Sequence, residues 1–166
     1  MVTGKIKVTW TAKDYKKSLW RTNKNHYLSV KTSIQNKKLY RNNIGVYINN
    51  DIHNHFLTIA DTITKKFNLK KSVVALNKMT PGQVLPFHVD DYPTYMKKNK
   101  IKNKNNIVRI ILFLEDSKPG HQLWIKEKIC IGPAGSYFGW IGPTKHMAAN
   151  LGEDDRYTLQ ITGLQD

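Results

Sequence analysis

His88-Val89-Asp90 sets an imidazole and a carboxylate two residues apart. At the end of a strand, that spacing puts both side chains on one side of the sheet. A second imidazole, His146, lies just beyond Gly142-Pro143, close to the start of a later apolar stretch. Two histidines and one carboxylate make the facial triad suited to Fe(II), with three coordination positions left open. An H-x-D pair alone is common, and a histidine in a half-buried strand is often a hydrogen-bonded core residue. Order and context give this one weight. The pair follows the Pro81-Gly82 turn and precedes the apolar run 107–114. Ten residues after His146 comes Arg156, opening a stretch in which positions 156, 158 and 160 share a face. The Arg156 fork beside the Thr158 hydroxyl could hold a carboxylate.

These side chains need a scaffold, and the hydropathy pattern describes one. After residue 72 the chain alternates in short runs: 73–79, 84–88, 107–114, 121–126, 128–132, 135–140, 144–149 and 156–162. Pro81-Gly82, Pro119-Gly120, Pro133, Gly135, Gly142-Pro143 and Gly152 punctuate them. Eight short strands in so compact a stretch predict an antiparallel sandwich or jelly roll. Residues 52–67 predict a helix, with Ile52, Phe56, Ile59, Ala60, Ile63 and Phe67 on one face and Asp51 as its cap. Upstream, KIKVTW (5–10) and YLSVKTSI (27–34) alternate as strands, and 13–25 is ambiguous. The segment 92–106, rich in Lys and Asn, reads as a loop or frayed helix.

Other candidates carry two readings each. Arg109, alternating with Ile111 and Phe113, points inward either to a bound acid or to an ion-pair partner. Tyr137 and Trp140 could line a pocket or fill the core. Asn150 supports the site or closes a turn, and His121 fits a surface turn better than a ligand. Cys130 lacks an evident base and reads as a buried thiol. Gln83, Tyr92 and Tyr95 flank the triad motif and could shape an entrance. His53 and His55, at i, i+2 near a helix start, diverge too far to share a metal.

Composition narrows the classes. A chain of 166 residues, 40% of them hydrophobic, predicts one domain: a basic strand-and-helix part over 1–70 and a core over 73–163. The single cysteine excludes an internal disulfide framework and a cysteine zinc site. No apolar run is long enough to span a membrane, and the first residues lack a secretory apolar segment, so a cytoplasmic setting is expected. The net charge of +15 is uneven: residues 1–83 hold 16 basic and 3 acidic groups, residues 84–166 hold 11 and 9. Such a lysine-rich surface is either simply solvated or suited to nucleic acid or an acidic partner.

The stretch TPGQVLPFHVD…VRIILFLED…PG…GPAGSYFGW…HMAANLG…RYTLQITG resembles the Fe(II)/2-oxoglutarate-dependent oxygenases. It looks closest to small bacteriophage-encoded members, with similarity to the prolyl-hydroxylase-like branch, and the resemblance covers residues 73–163. It implies a mainly β fold with a flanking helix, a double-stranded β-helix of the jelly-roll, cupin-like kind. It assigns Fe(II) to His88, Asp90 and His146, and the far carboxylate of 2-oxoglutarate to Arg156 with Thr158. It implies hydroxylation of a protein or peptide side chain such as proline, with O₂ consumed and succinate and CO₂ formed, in the host cytoplasm if phage-encoded. Nucleic acid is the second substrate class. The demethylase branch carries a further Arg six residues beyond the first, where this chain has Thr162. A non-catalytic jelly-roll module binding nucleic acid or an acidic partner is the competing reading. A cupin-type metal enzyme is a third, although such sites have more histidine ligands and no need of Arg156.

Overall fold

The computed structural model describes residues 1–22 and 42–165. Its strands are β1 (Val2–Lys5), β2 (Arg21–Thr22), β3 (Tyr47–Asn49), β4 (Lys70–Met79), β5 (Val84–His88), β6 (Ile107–Phe113), β7 (His121–Ile125), β8 (Lys128–Ile129), β9 (Ser136–Ile141), β10 (His146–Asn150) and β11 (Arg156–Leu164). Three α-helices accompany them among the described residues: α1 (Lys13–Lys16), α2 (Asn54–Lys66) and α3 (Pro93–Asn99). The strands form a seven-stranded sheet, β1-β9-β6-β11-β4-β3-β2, and a four-stranded sheet, β5-β10-β7-β8. Every pairing between these strands is antiparallel. The architecture is a double-stranded β-helix, mainly β with a flanking helix.

Strand alternation divides the major sheet into two chemistries. Val108, Ile110 and Leu112 of β6 and Tyr157, Leu159 and Ile161 of β11 pack with Leu76 and Tyr137 against α2. The helix inserts Phe56, Ile59, Ala60 and Ile63, as its apolar face predicts. The intervening residues of the same strands turn to the minor sheet, where Ile111, Phe113 and Trp140 meet Leu123, Ile125 and Cys130. That interior holds the candidate site. No helix among the described residues is long and apolar enough to cross a membrane.

All eight strands expected after residue 72 are present, but three local expectations shift and a fourth is not tested. KIKVTW is not a strand beyond Lys5: pairing with β9 starts at Val2 and stops there, and Trp10 buries itself in the core, its Nε1 donating to Leu114 O at 2.7 Å. YLSVKTSI lies outside the described residues. Asp51 does not cap α2; its backbone N–H is held by Asn49 Oδ1 at 2.8 Å, and His53 occupies the cap position without a side-chain bond. The segment 92–106 is not a loose loop. Tyr95, Met96 and Ile101 anchor α3 and the chain after it against Tyr92, Ile107 and Leu164, while a 3₁₀ turn forms over Lys104–Asn106. Its few apolar residues sit where they can reach one small cluster.

The turn before β7 requires glycine. Gly120 has φ +84°, and a Cβ there would collide with the Gly152 backbone. Two sequence-remote turns thus close on one another beside β10. Phe56 is completely buried between α2 and the major sheet. Phe56→Ala is expected to destabilise the protein by about 3–5 kcal/mol, read as a lower urea midpoint at unchanged slope.

Candidate metal centre

Backbone pairing brings the two histidines together. His88 ends β5 and His146 starts β10, and the two are direct partners in the minor sheet. Opposed residues of an antiparallel pair share a face, and here the ring centroids lie 4.3 Å apart. Asp90 lies just past the end of β5 and turns back to both: Oδ1 is 3.6 Å from His88 Nε2, and Oδ2 is 3.5 Å from His146 Nε2. One ligand atom from each residue falls within 4.8 Å of the others.

The tautomers are set for metal binding. His88 Nδ1 lies 2.7 Å from Pro86 O, and His146 Nδ1 lies 2.9 Å from Thr144 O. A carbonyl only accepts, so both Nδ1 atoms carry a proton, and both Nε2 atoms face Asp90. Burial pulls the His146 pKa down to about 4, although Asp90 opposes the shift, so the imidazole is neutral at physiological pH. For Asp90, burial pushes upward, but the Arg109 guanidinium and the two imidazoles outweigh it and hold the carboxyl well below its usual range.

Arg109 takes the ion-pair reading. It points inward from the middle of β6, with Nη1 3.1 Å from Asp90 Oδ2 and 3.4 Å from Gln160 Oε1. The face of Tyr92 lies beneath the guanidinium, 4.9 Å from ring centroid to Cζ. Gln160 Oε1 also accepts from Asn77 Nδ2 at 3.4 Å. A polar line therefore runs from β4 across β11 and β6 to the carboxylate. Sequence reasoning did not single out Asn77, and Gln160 was noted only for sharing the Arg156 face. A run of polar residues on one face of apolar strands was the available signal.

Arg156 occupies the same inner face four residues from Gln160, a span of about 13 Å along β11. It is 6% exposed, and burial lowers its pKa to about 10. Its surroundings are Met79 Sδ at 3.6 Å from Nη1 and the Phe113 ring at 5.5 Å. No carboxylate among the described residues lies within ion-pairing distance of it. A buried, unpaired guanidinium is costly unless an anion completes it. Thr158 follows on the same face, buried between its partners Asn77 and Phe113.

Several buried polar atoms of this interior make no hydrogen bond among the described residues: Tyr92 OH, Arg109 Nε, Trp140 Nε1, Arg156 Nη2 and Asp90 Oδ2, the last paired only ionically. Buried polar atoms are normally satisfied. Their concentration here, with two Nε2 atoms and a carboxylate converging, fits a divalent metal held by His88, Asp90 and His146 and an anion on Arg156.

The secondary candidates separate. Trp140 lies at the site, stacked on His146 at 4.0 Å and 33°. Tyr137 faces the opposite core, edge-on to Phe67. Asn150 is fully buried and structural, with Nδ2 donating to Met79 O and Asp154 O. His121 is not at the surface: it is 7% exposed, with Nε2 3.3 Å from Asp154 O, and it stands outside the metal cluster. Cys130 is a buried thiol, its pKa raised to about 11 by burial. Tyr92 reaches the site, whereas Gln83 closes its turn onto Thr80 N and Tyr95 donates to Lys71 O. His53 and His55 lie at the start of α2 and outside the cluster.

No family model matches the chain, and no curated protein matches it. Solved structures do share its architecture. A prolyl-4-hydroxylase from Pseudomonas putida aligns with a TM-score of 0.55 at 17% identity, covering 74% of this chain and 73% of that one. A predicted oxalate decarboxylase from Thermotoga maritima aligns at 0.45 and 15%, covering 72% and 80%. An RmlC-like cupin from Shewanella frigidimarina aligns at 0.38 and 10%, covering 56% and 66%. The hydroxylase alignment and the strand order agree on a cupin-like jelly roll; at such identities the likeness is one of fold.

Removing Asp90 strands a mostly buried Arg109. Asp90→Asn is expected to destabilise the metal-free protein by up to roughly 3 kcal/mol, and the further change Arg109→Met should recover much of that loss. Because the folded-state carboxyl is depressed, its contribution is complete above the ordinary value of 3.8 and is lost as pH falls below it. The stability gap between wild type and Asp90→Asn in urea should therefore narrow below that pH.

Proposed function

We propose that the protein is an Fe(II)- and 2-oxoglutarate-dependent dioxygenase that hydroxylates a protein or peptide side chain. The observation that carries this reading is the pairing of a two-histidine, one-carboxylate cluster with a buried arginine that has no acidic partner among the described residues. A metal site alone would suit many cupin-like proteins. The buried guanidinium adds a demand for a carboxylate some distance from the metal, which a five-carbon keto diacid meets.

His88 Nε2, His146 Nε2 and Asp90 would hold the metal, leaving open positions. Arg156 would take the far carboxylate by its fork, with the Thr158 hydroxyl beside it. Arg109 would fix the orientation of Asp90 and stand next to the cosubstrate. When bound, Fe(II) with 2-oxoglutarate and O₂ supplies an oxidative decarboxylation coupled to C–H hydroxylation, giving succinate and CO₂. Ile111, Phe113, Leu123 and Ile125 keep water from the interior, and Trp140 restrains the His146 ring by stacking on it. The prolyl-4-hydroxylase among the fold neighbours makes proline the first side chain to test.

The protein purified without oxygen should develop a weak visible charge-transfer band on addition of Fe(II) and 2-oxoglutarate, together with a raised Tm. His146→Ala should abolish the band. Arg156→Ala should chiefly weaken 2-oxoglutarate binding, by about 10–100-fold for a lost charge-assisted fork. A missing band with an unchanged Tm would overturn the reading, and unaltered 2-oxoglutarate affinity in Arg156→Ala would overturn the role of that residue.

A further inference from the structure

The lysine excess looks diffuse along the chain, yet the fold gathers part of it at the metal end of the barrel. Leu164 pairs with both Lys70 and Ile107, so the start of β4, the end of β11 and the start of β6 form one row at one end of the major sheet. Arg109, which holds Asp90, stands two residues in from that row opposite Thr162. α2 also ends near this row, because only the turn 67–69 separates it from β4, but its Lys66 turns to the helix side of the sheet, with Nζ over the Phe67 and Tyr137 rings. α3 is fastened there as well: Tyr95 OH donates to Lys71 O, and Lys71 Nζ donates to Asn99 O. The segment carrying Lys97, Lys98, Lys100 and Lys102 begins three residues after Asp90, and all four are exposed.

Among the described residues, the acidic side chains of α2 and of the chain leading into α3 are already paired. Asp61 pairs with Lys65, and Asp91 pairs with Lys104, both at 2.7 Å. Lys97, Lys98, Lys100 and Lys102 have no ion pair among the described residues, so their positive charge is left to act on the solvent side of the segment that follows Asp90. The segment is also built to hold its shape. Tyr92 and Lys100 take left-handed conformations, φ 50° and 54°, at the two ends of α3, and the Tyr95–Met96–Ile101 cluster pins it down.

We propose that this lysine rim recruits an acidic polypeptide segment and presents it to the metal centre. The inference rests on the dioxygenase reading and specifies its substrate class. The rim suits carboxylates on a flexible chain better than nucleic acid. Its cations are lysines, without an arginine fork for phosphate. Its tyrosines, Tyr92 and Tyr95, are buried and offer no platform for stacking bases. The exposed ring nearest in sequence, Phe87, points away from His88, with Lys145 Nζ 5.4 Å from its centroid.

The test uses the full chain and a fluorescent glutamate-rich peptide with one central proline, read by anisotropy, with oligothymidylate as the competing class. Reversing Lys97, Lys98, Lys100 and Lys102 to Glu should weaken peptide binding by about tenfold or more. Reversing Lys5, Lys7, Lys13 and Lys17, an equal change of charge on exposed residues, should weaken it only about threefold or less. Lys5 pairs with Ser136 at the far end of β9, away from the rim. Added salt that shortens the Debye length from about 10 to about 3 Å should release the peptide. Equal losses in the two variants, no loss in the rim variant, or tighter rim-dependent binding of oligothymidylate would each overturn the proposal. With Mn(II) in the site, the proline resonances of the bound peptide should broaden in wild type and not in His146→Ala. Broadening absent from a Mn(II)-loaded wild type that binds the peptide would show binding away from the site and also overturn it. Rim binding intact with no ferrous charge-transfer band would fault the chemistry alone; a band with rim-independent peptide binding would fault the rim alone.

Discussion

The antiparallel pairing of β5 with β10 is the constraint on which the candidate site depends. It sets His88 directly against His146, and a slip by one residue would send one imidazole to the outer face of the minor sheet. The register also shifts between His146 and Ala148, so the pairing at the histidines is separated by an irregularity from the pairing at Leu85 and Val84. What keeps it in place is largely remote from the ligands. Asn150 ties the end of β10 to Met79 O and to the turn before β11, while the Gly120–Gly152 approach locks the adjoining turns.

Around that pairing, electrostatics and desolvation oppose each other. Three potential ligands and two arginines share an interior otherwise lined by isoleucine, leucine and aromatic rings. Asp90 tolerates burial because Arg109 neutralises it, and Arg109 is in turn steadied by Gln160 and Tyr92. His146 tolerates it by staying neutral, and both histidines turn Nδ1 to a carbonyl of their own segment. Among the described residues Arg156 has no such partner. That imbalance turns an otherwise ordinary jelly-roll interior into one that asks for an anionic ligand.

Strand alternation lets a single sheet do both jobs. Odd and even residues of β6 and β11 face different worlds: Ile110 and Leu159 pack on α2, while Arg109 and Thr158 face the site. The helix-side core can therefore stabilise the sheet without contributing to the chemistry, and the inner face can carry destabilising charge without losing the fold.

By itself the sequence determined the helix that becomes α2 and the eight strands after residue 72, and it singled out the three residues that come together as a candidate metal cluster. Periodicity is a local property, and His88, Asp90, His146 and Arg156 stand beside strong turn signals. It was less informative where short-range pattern was weak. The helix α3 was obscured because only Tyr95 and Met96 stand out among its polar residues, and KIKVTW alternated without a partner beyond Lys5. Only the tertiary structure decided that Arg109 clamps Asp90, that Trp140 rather than Tyr137 faces the candidate metal centre, that Asn77 and Gln160 extend the polar line, and that the lysine-bearing segment of α3 and the chain after it is fastened beside the start of β4. Each of these depends on which strand lies beside which and in what register. Such pairings join residues dozens of positions apart, and no local pattern encodes the match.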